Sequence, residues 1–200
     1  YIGLLERMIL SAVIEGDRRD TAEFMDHITF PDRPKEMRPF WRKYLVYMED
    51  RLKEFDRTDE ISRARQTISD QCRAFANEPG GIYRLSVPTG SGKTLSSLRF
   101  ALAHAEKWGK QRIIFTAPLL TILDQNAKEI RKYIGDDSVI LEHHSNVVRS
   151  ENTGDQLDPK ELLEENWGAP VVITSMVQLL NTMFSGRTGC IRRFQALCDS

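Results

Sequence analysis

The run VPTGSGKT at residues 87–94 constrains this chain more than any other segment. It follows the β-rich stretch IYRLSV and opens a helical pattern in which Leu95, Leu98, Leu102 and Ala105 form one stripe, with Gly109 as its stop. In a loop of this kind the glycines let the backbone wrap close to phosphate oxygens. Successive N–H groups and the positive end of the helix then face negative charge. Lys93 would supply a point charge to the β- and γ-phosphates, and the Thr94 hydroxyl would ligate Mg2+. Pro88, Thr89, Gly90, Ser91, Gly92, Lys93 and Thr94 are therefore the expected nucleotide-binding residues, with Lys93 and Thr94 carrying the chemistry. The strict pattern G-x-x-x-x-G-K-[ST] fails only at its first position, where Val87 stands.

The chain changes character at this loop. Upstream, Leu4, Leu5, Met8, Ile9, Ala12 and Val13 predict an amphipathic helix over residues 2–16 that needs a partner and ends in the charged turn EGDRRDT. Pro31, Pro34 and Pro39 read as a linker, followed by a helix carrying Tyr44, Leu45, Tyr47, Met48 and Leu52. Another helix is expected over about 60–77, closed by Pro79, Gly80 and Gly81. Downstream, short β-rich runs alternate with helices: RIIFTA then 121–134, SVILEH then a polar loop and ELLEENW, PVVITS then 176–184. Strand alternating with helix predicts an α/β fold with a parallel sheet, and runs as apolar as IIFTA and VVIT suit a sheet covered on both faces.

In such a sheet ligands sit beyond the carboxyl ends of the strands. Thr116, Ala117 and Pro118 leave one strand, where Thr121 and Asp124 are spaced as a capping box; Thr174 and Ser175 end another, with Gln178 completing a second box. These residues either seat the phosphates of a nucleic-acid strand or only cap helices. Arg187, Arg192 and Arg193 either touch a nucleic-acid backbone or form a solvated helix face. His143 and His144, adjacent on a strand, point to opposite faces and suit a polar strand end better than one metal. The acidic stretch 151–165 reads as a solvated insertion.

Composition narrows the classes. The 28 Lys and Arg against 29 Asp and Glu leave a net charge of −1, so a nucleic-acid partner would have to be held by a local surface. No apolar run approaches the roughly 18 residues of a membrane-spanning helix, and no secretion signal is visible. A soluble, cytoplasmic protein with no membrane partner is expected. Cys72, Cys190 and Cys198 are odd in number and widely spaced, against a disulfide framework or cysteine zinc site.

The version P-T-G-x-G-K-T is typical of superfamily 2 helicases. IYRLSVPTGSGKTLSSLRFALAHA, IIFTAPLLTILDQNA, VILEHHSN and ENWGAPVVITSMVQLLNTMFSGRTGCIRRFQAL resemble successive motifs of the CRISPR-associated helicase-nuclease of type I CRISPR systems, over about residues 60–200. SAVIEGDRRDTAEF resembles the end of that family's HD-type metal nuclease. The resemblance implies a RecA-like P-loop NTPase lobe at 60–200, preceded by a linker and helix at 28–59 and the end of an HD nuclease domain at 1–27. It implies ATP with Mg2+ at Thr89–Thr94, single-stranded DNA at Thr116–Pro118 and Thr174–Gln178, and a divalent transition metal for which Asp17 would be the last aspartate ligand. Asp17 merely ending a helix is the other reading. Gln66 or Gln71 is either the adenine-reading glutamine upstream of the loop or, the reading the residues favour, an ordinary helix surface residue.

The sequence departs from the family where APLLT replaces a Tyr-Thr-Ser run and where Ser175 replaces a second Thr. An ATPase also needs an acidic strand end to hold Mg2+ and activate water. None follows Lys93, and the family's D-E-x-x strand would begin at about Ser200, so the chain reads as a fragment whose lobe is incomplete. The expected whole is an ATP-dependent single-stranded DNA translocase coupled to a nuclease that degrades invading DNA after recruitment by a crRNA-guided surveillance complex. The rivals are another superfamily 2 translocase without a nuclease, and a phosphate-loop module with no nucleic-acid role.

Overall fold

Three helices precede the loop in a computed structural model, which describes residues 2–25, 36–56, 58–144 and 166–200. They are α1 (Ile2–Met25), α2 (Met37–Leu52) and α3 (Glu60–Phe75). After the loop come α4 (Lys93–Trp108), β1 (Ile113–Ala117), α5 (Leu120–Ile134), β2 (Ile140–His143), β3 (Val171–Ser175), α6 (Met176–Phe184) and α7 (Thr188–Arg192). The strands form a three-stranded sheet in the order β1-β3-β2, with β2 and β3 parallel and Ile140 opposite Val171. The α/β class and parallel sheet expected from the alternation are present, an arrangement of RecA-like type.

The residues fall into two units, the boundary crossing β1 after Ile113 and α5 after Leu123. In the unit holding the sheet, β3 is the middle strand and all five of its residues are buried. That is the expectation for an apolar run covered on both faces. Trp167, Val172 and Ala196 are fully buried there, packed against Ile114, Leu141, Leu179 and Leu197. α1 continues past the charged turn to Met25, because solvated charge does not stop a helix: Arg19 pairs with Glu23 one turn on at 3.0 Å. Its docked face is not the apolar stripe. Arg7 donates to the carbonyls of Thr182 and Ser185, Ser11 to that of Arg192, and Glu15 accepts from Arg192 and Asn166. Leu5, Ile9 and Val13 stay 57–62% exposed, so the partner this stripe needs is not among the described residues.

In the other unit α2, α3, α4 and the body of α5 pack together. Pro39, expected in a linker, lies in the first turn of α2, where a missing N–H costs nothing. Trp41 and Met48 are fully buried, and Trp41 donates to the Lys110 carbonyl. The Tyr44 hydroxyl donates to Asp136 at 2.8 Å; burial and that carboxylate push its pKa far up. Arg99, 7% exposed, ties three helices together, with two bonds to Glu49 of α2 and one each to Ser69 and Asp70 of α3.

Gly135 ends α5 at φ +70°, and a Cβ there would stand 2.5 Å from the Tyr47 ring. Gly135→Ala is expected to cost about 1–2 kcal/mol, chiefly for the left-handed backbone since the half-exposed ring can swing away. Urea denaturation measures it, and an unchanged midpoint would show that the turn relaxes.

One expected strand is absent. Residues 82–87 pair with no strand, and Ile82, Tyr83 and Leu85 are exposed. An alternating apolar run becomes a strand only when a neighbour supplies ladder partners, and none lies beside it among the described residues. Tyr83 anchors the segment instead, its ring edge-on to Phe75 at 4.8 Å and its hydroxyl donating to the Pro79 carbonyl. The linker prolines Pro31 and Pro34, the acidic insertion 151–165 and most of the ELLEENW helix lie outside the described residues.

Candidate nucleotide site

The loop is shaped by two left-handed glycines. Gly90 has φ +80° and Gly92 φ +81°, and a Cβ on either would meet nothing within 4 Å. The concave face is therefore open, and glycine is needed for backbone conformation and not for lack of room. Two of the loop carbonyls are held by side chains: Ser91 Oγ donates to Pro88 at 2.7 Å and Arg65 Nε to Gly90 at 2.9 Å. Carbonyls so engaged leave N–H groups for an anion.

α4 starts at Lys93, with Ser96 N–H donating to Gly92 at 2.9 Å as its first bond. The N–H groups of the first turn have no partner within the helix, and the helix dipole adds positive potential there. Lys93 is exposed and makes no hydrogen bond or ion pair among the described residues. Its ammonium is available to a phosphate. Thr94 is half-buried and offers a hard hydroxyl oxygen. Mg2+ takes few protein oxygens and completes its shell with phosphate and water, so this donor fits that ion bound jointly with a nucleotide.

Beside the loop is a cavity of about 320 Å3 lined by α3 and α4 side chains and the 83–87 segment. Gln71, Cys72, Phe75, Tyr83 and Val87 are among its walls, and burial pushes the Cys72 thiol pKa up. The cavity separates the two glutamines. Gln71 reaches it, whereas Gln66 donates to Asp70 at 2.8 Å on the exposed face of α3.

The residues expected at strand ends belong to the unit with the sheet. Thr116 and Pro118 are exposed, and Ala117 is 4% exposed. α5 begins at Leu120, one residue earlier than expected, which places Thr121 inside the first turn and not at its cap. Thr174 is fully buried and its hydroxyl donates to the His143 carbonyl at 2.8 Å, so it fastens β3 to β2 and offers nothing to a nucleic acid. Ser175 does cap α6, accepting from Gln178 N–H at 3.3 Å. The Gln178 side chain does not complete the box, because it accepts from Arg193 at 3.2 Å. Arg192, expected on a surface, is 2% exposed and paired with Glu15. Arg193 lies over the Trp167 ring, and Arg187 remains exposed.

Asp17 is exposed on α1, and among the described residues no group of three or more His, Cys, Asp or Glu could hold a metal ion. The described residues thus do not build a site for a nuclease metal. The three cysteines are free, and no described helix is long and apolar enough to cross a membrane. Two residues of the site escaped the sequence: Arg65, which holds the Gly90 carbonyl, and Asn126, which accepts from Thr94. Each lies over twenty residues from its partner, with no spacing rule to reveal it.

No curated protein matches the chain. A family model described as type III restriction enzyme, res subunit, matches residues 53–186.

Proposed function

The chain belongs to the type III restriction enzyme, res subunit, family, and on that premise we propose that it carries the nucleotide-binding part of a motor that moves along single-stranded DNA. The family is of superfamily 2 helicase type, whose function is ATP-dependent and uses Mg2+. The observation that carries the nucleotide assignment is the pair of left-handed glycines leading into α4 with an unengaged Lys93 at its start. Lys93 would balance charge on the terminal phosphates and Thr94 would hold Mg2+, which when bound neutralises charge developing on them. Gln71, at the cavity beside the loop, is the better placed of the two glutamines to read the base.

Thr116, exposed near the end of β1, and Pro118, exposed just after it, are the residues of this set left free to meet a DNA strand, with Ser175 holding the start of α6. The finer reading places the motor in a type I CRISPR effector, coupled to an HD nuclease and recruited by a crRNA-guided surveillance complex in the cytoplasm. It is supported by the order and spacing of the motif runs from residue 60 onward and by the likeness of SAVIEGDRRDTAEF, with Asp17, to the end of such a nuclease.

ATP hydrolysis by the full-length protein, with and without single-stranded DNA, tests the motor. Turnover is expected to rise at least about tenfold when DNA is added. Turnover indifferent to DNA would leave a phosphate-loop module with no nucleic-acid role. DNA-stimulated turnover without cleavage of the strand would leave a translocase without a nuclease.

A further inference from the structure

The Thr94 hydroxyl has a partner that the loop itself does not supply. It donates its proton to Oδ1 of Asn126 on α5 at 2.9 Å, in a partly buried contact. A hydroxyl has one proton and two lone pairs, so a proton committed to an acceptor fixes where the lone pairs point. Asn126 is itself held in place. Leu123, Ala127 and Ile130 on the apolar face of α5 are at most 2% exposed, which leaves the helix little freedom to turn. The amide oxygen is neutral, so it orients the hydroxyl without adding negative charge beside a triphosphate.

Resting on the nucleotide-site reading above, the geometry points to Asn126 as a positioning residue for the Mg2+ ligand Thr94. By taking the hydroxyl proton it keeps both oxygen lone pairs available to the cation, and so favours the Mg2+ complex of the nucleotide over the nucleotide alone. Groups that orient a metal ligand in this way typically contribute 10- to 100-fold to metal affinity.

The test is binding of a fluorescent ATP analogue to the full-length protein, once with saturating Mg2+ and once with EDTA. The wild type is expected to bind more tightly with Mg2+. Asn126→Ala should keep the EDTA affinity and lose about tenfold of the Mg2+ gain. Asn126→Asp keeps an acceptor oxygen but brings a negative charge beside the triphosphate, so it should bind more weakly than wild type in EDTA and still show at least the wild-type gain from Mg2+. An Asn126→Ala protein with the full Mg2+ gain would overturn the role, as would one weakened equally in EDTA, which would mark Asn126 as merely structural. An Asp variant whose Mg2+ gain is as small as that of Ala would overturn it too, since an acceptor oxygen at this position would then not be what matters. A wild type that binds no analogue in either condition would overturn the nucleotide site itself, a failure distinct from the others.

Discussion

Lys93→Ala is expected to lower ATP turnover at least about 100-fold while leaving the fold as stable as before. Lys93 is exposed at the first residue of α4 and makes no described contact, so truncating it strands no carboxylate and opens no cavity. Substitutions of that kind change stability by less than about 0.5 kcal/mol. What is lost is an unengaged cation at the start of α4, in a place where the backbone N–H groups provide only fixed partial charges. Lys93→Arg should not restore turnover, because a planar, forked guanidinium spreads its charge over five donors and does not reproduce the point charge of a compact ammonium. Steady-state hydrolysis and a thermal melt on the same preparations decide it. Turnover within threefold of wild type in Lys93→Ala would place the nucleotide elsewhere, and in Lys93→Arg it would show that any cation at this position serves. In the nuclease-coupled reading, ATP-driven DNA degradation is lost with the turnover and ATP-independent nicking of single strands survives. Equal loss of both in a folded variant would join motor and nuclease into one activity.

What could be read from the sequence was what depends on neighbours along the chain. The loop at 87–94, the stripe of α4 with Gly109 at its end, and the bounds of α6 all follow from local spacing, and the structure has them within a residue or two. Whatever depends on distant partners was not legible. IYRLSV has the pattern of a strand and no ladder partner, so pattern alone did not make it one. Thr174 and Gln178 sit at capping distance from a helix start, yet one hydroxyl and one amide are taken by His143 and Arg193. Asn126 and Arg65 are ordinary helix residues until Thr94 and Gly90 are brought against them.

Arg192 carries the same lesson into energetics, and Arg192→Met is expected to cost about 3–5 kcal/mol. Read along the chain it belongs to a basic run with Arg187 and Arg193, suited to a surface. In the structure it is 2% exposed, its guanidinium donates to Glu15 of α1, and its backbone carbonyl accepts from Ser11 at 2.9 Å. Glu15 is only 12% exposed, so removing the arginine leaves a carboxylate that water reaches poorly. The bond from Asn166 at 2.6 Å compensates one oxygen and not the charge. Methionine fills most of the arginine stem's volume, so the loss measures the charge and not a void. Adding Glu15→Gln to the same chain removes the stranded charge and should recover about half of the loss, a coupling that a double-mutant cycle in urea reads directly. Additive losses would instead assign the stability to packing around Arg192. A single variant that unfolds outright would still be informative beside a double variant that folds, because a neutral pair is tolerated in a buried site that a lone charge is not.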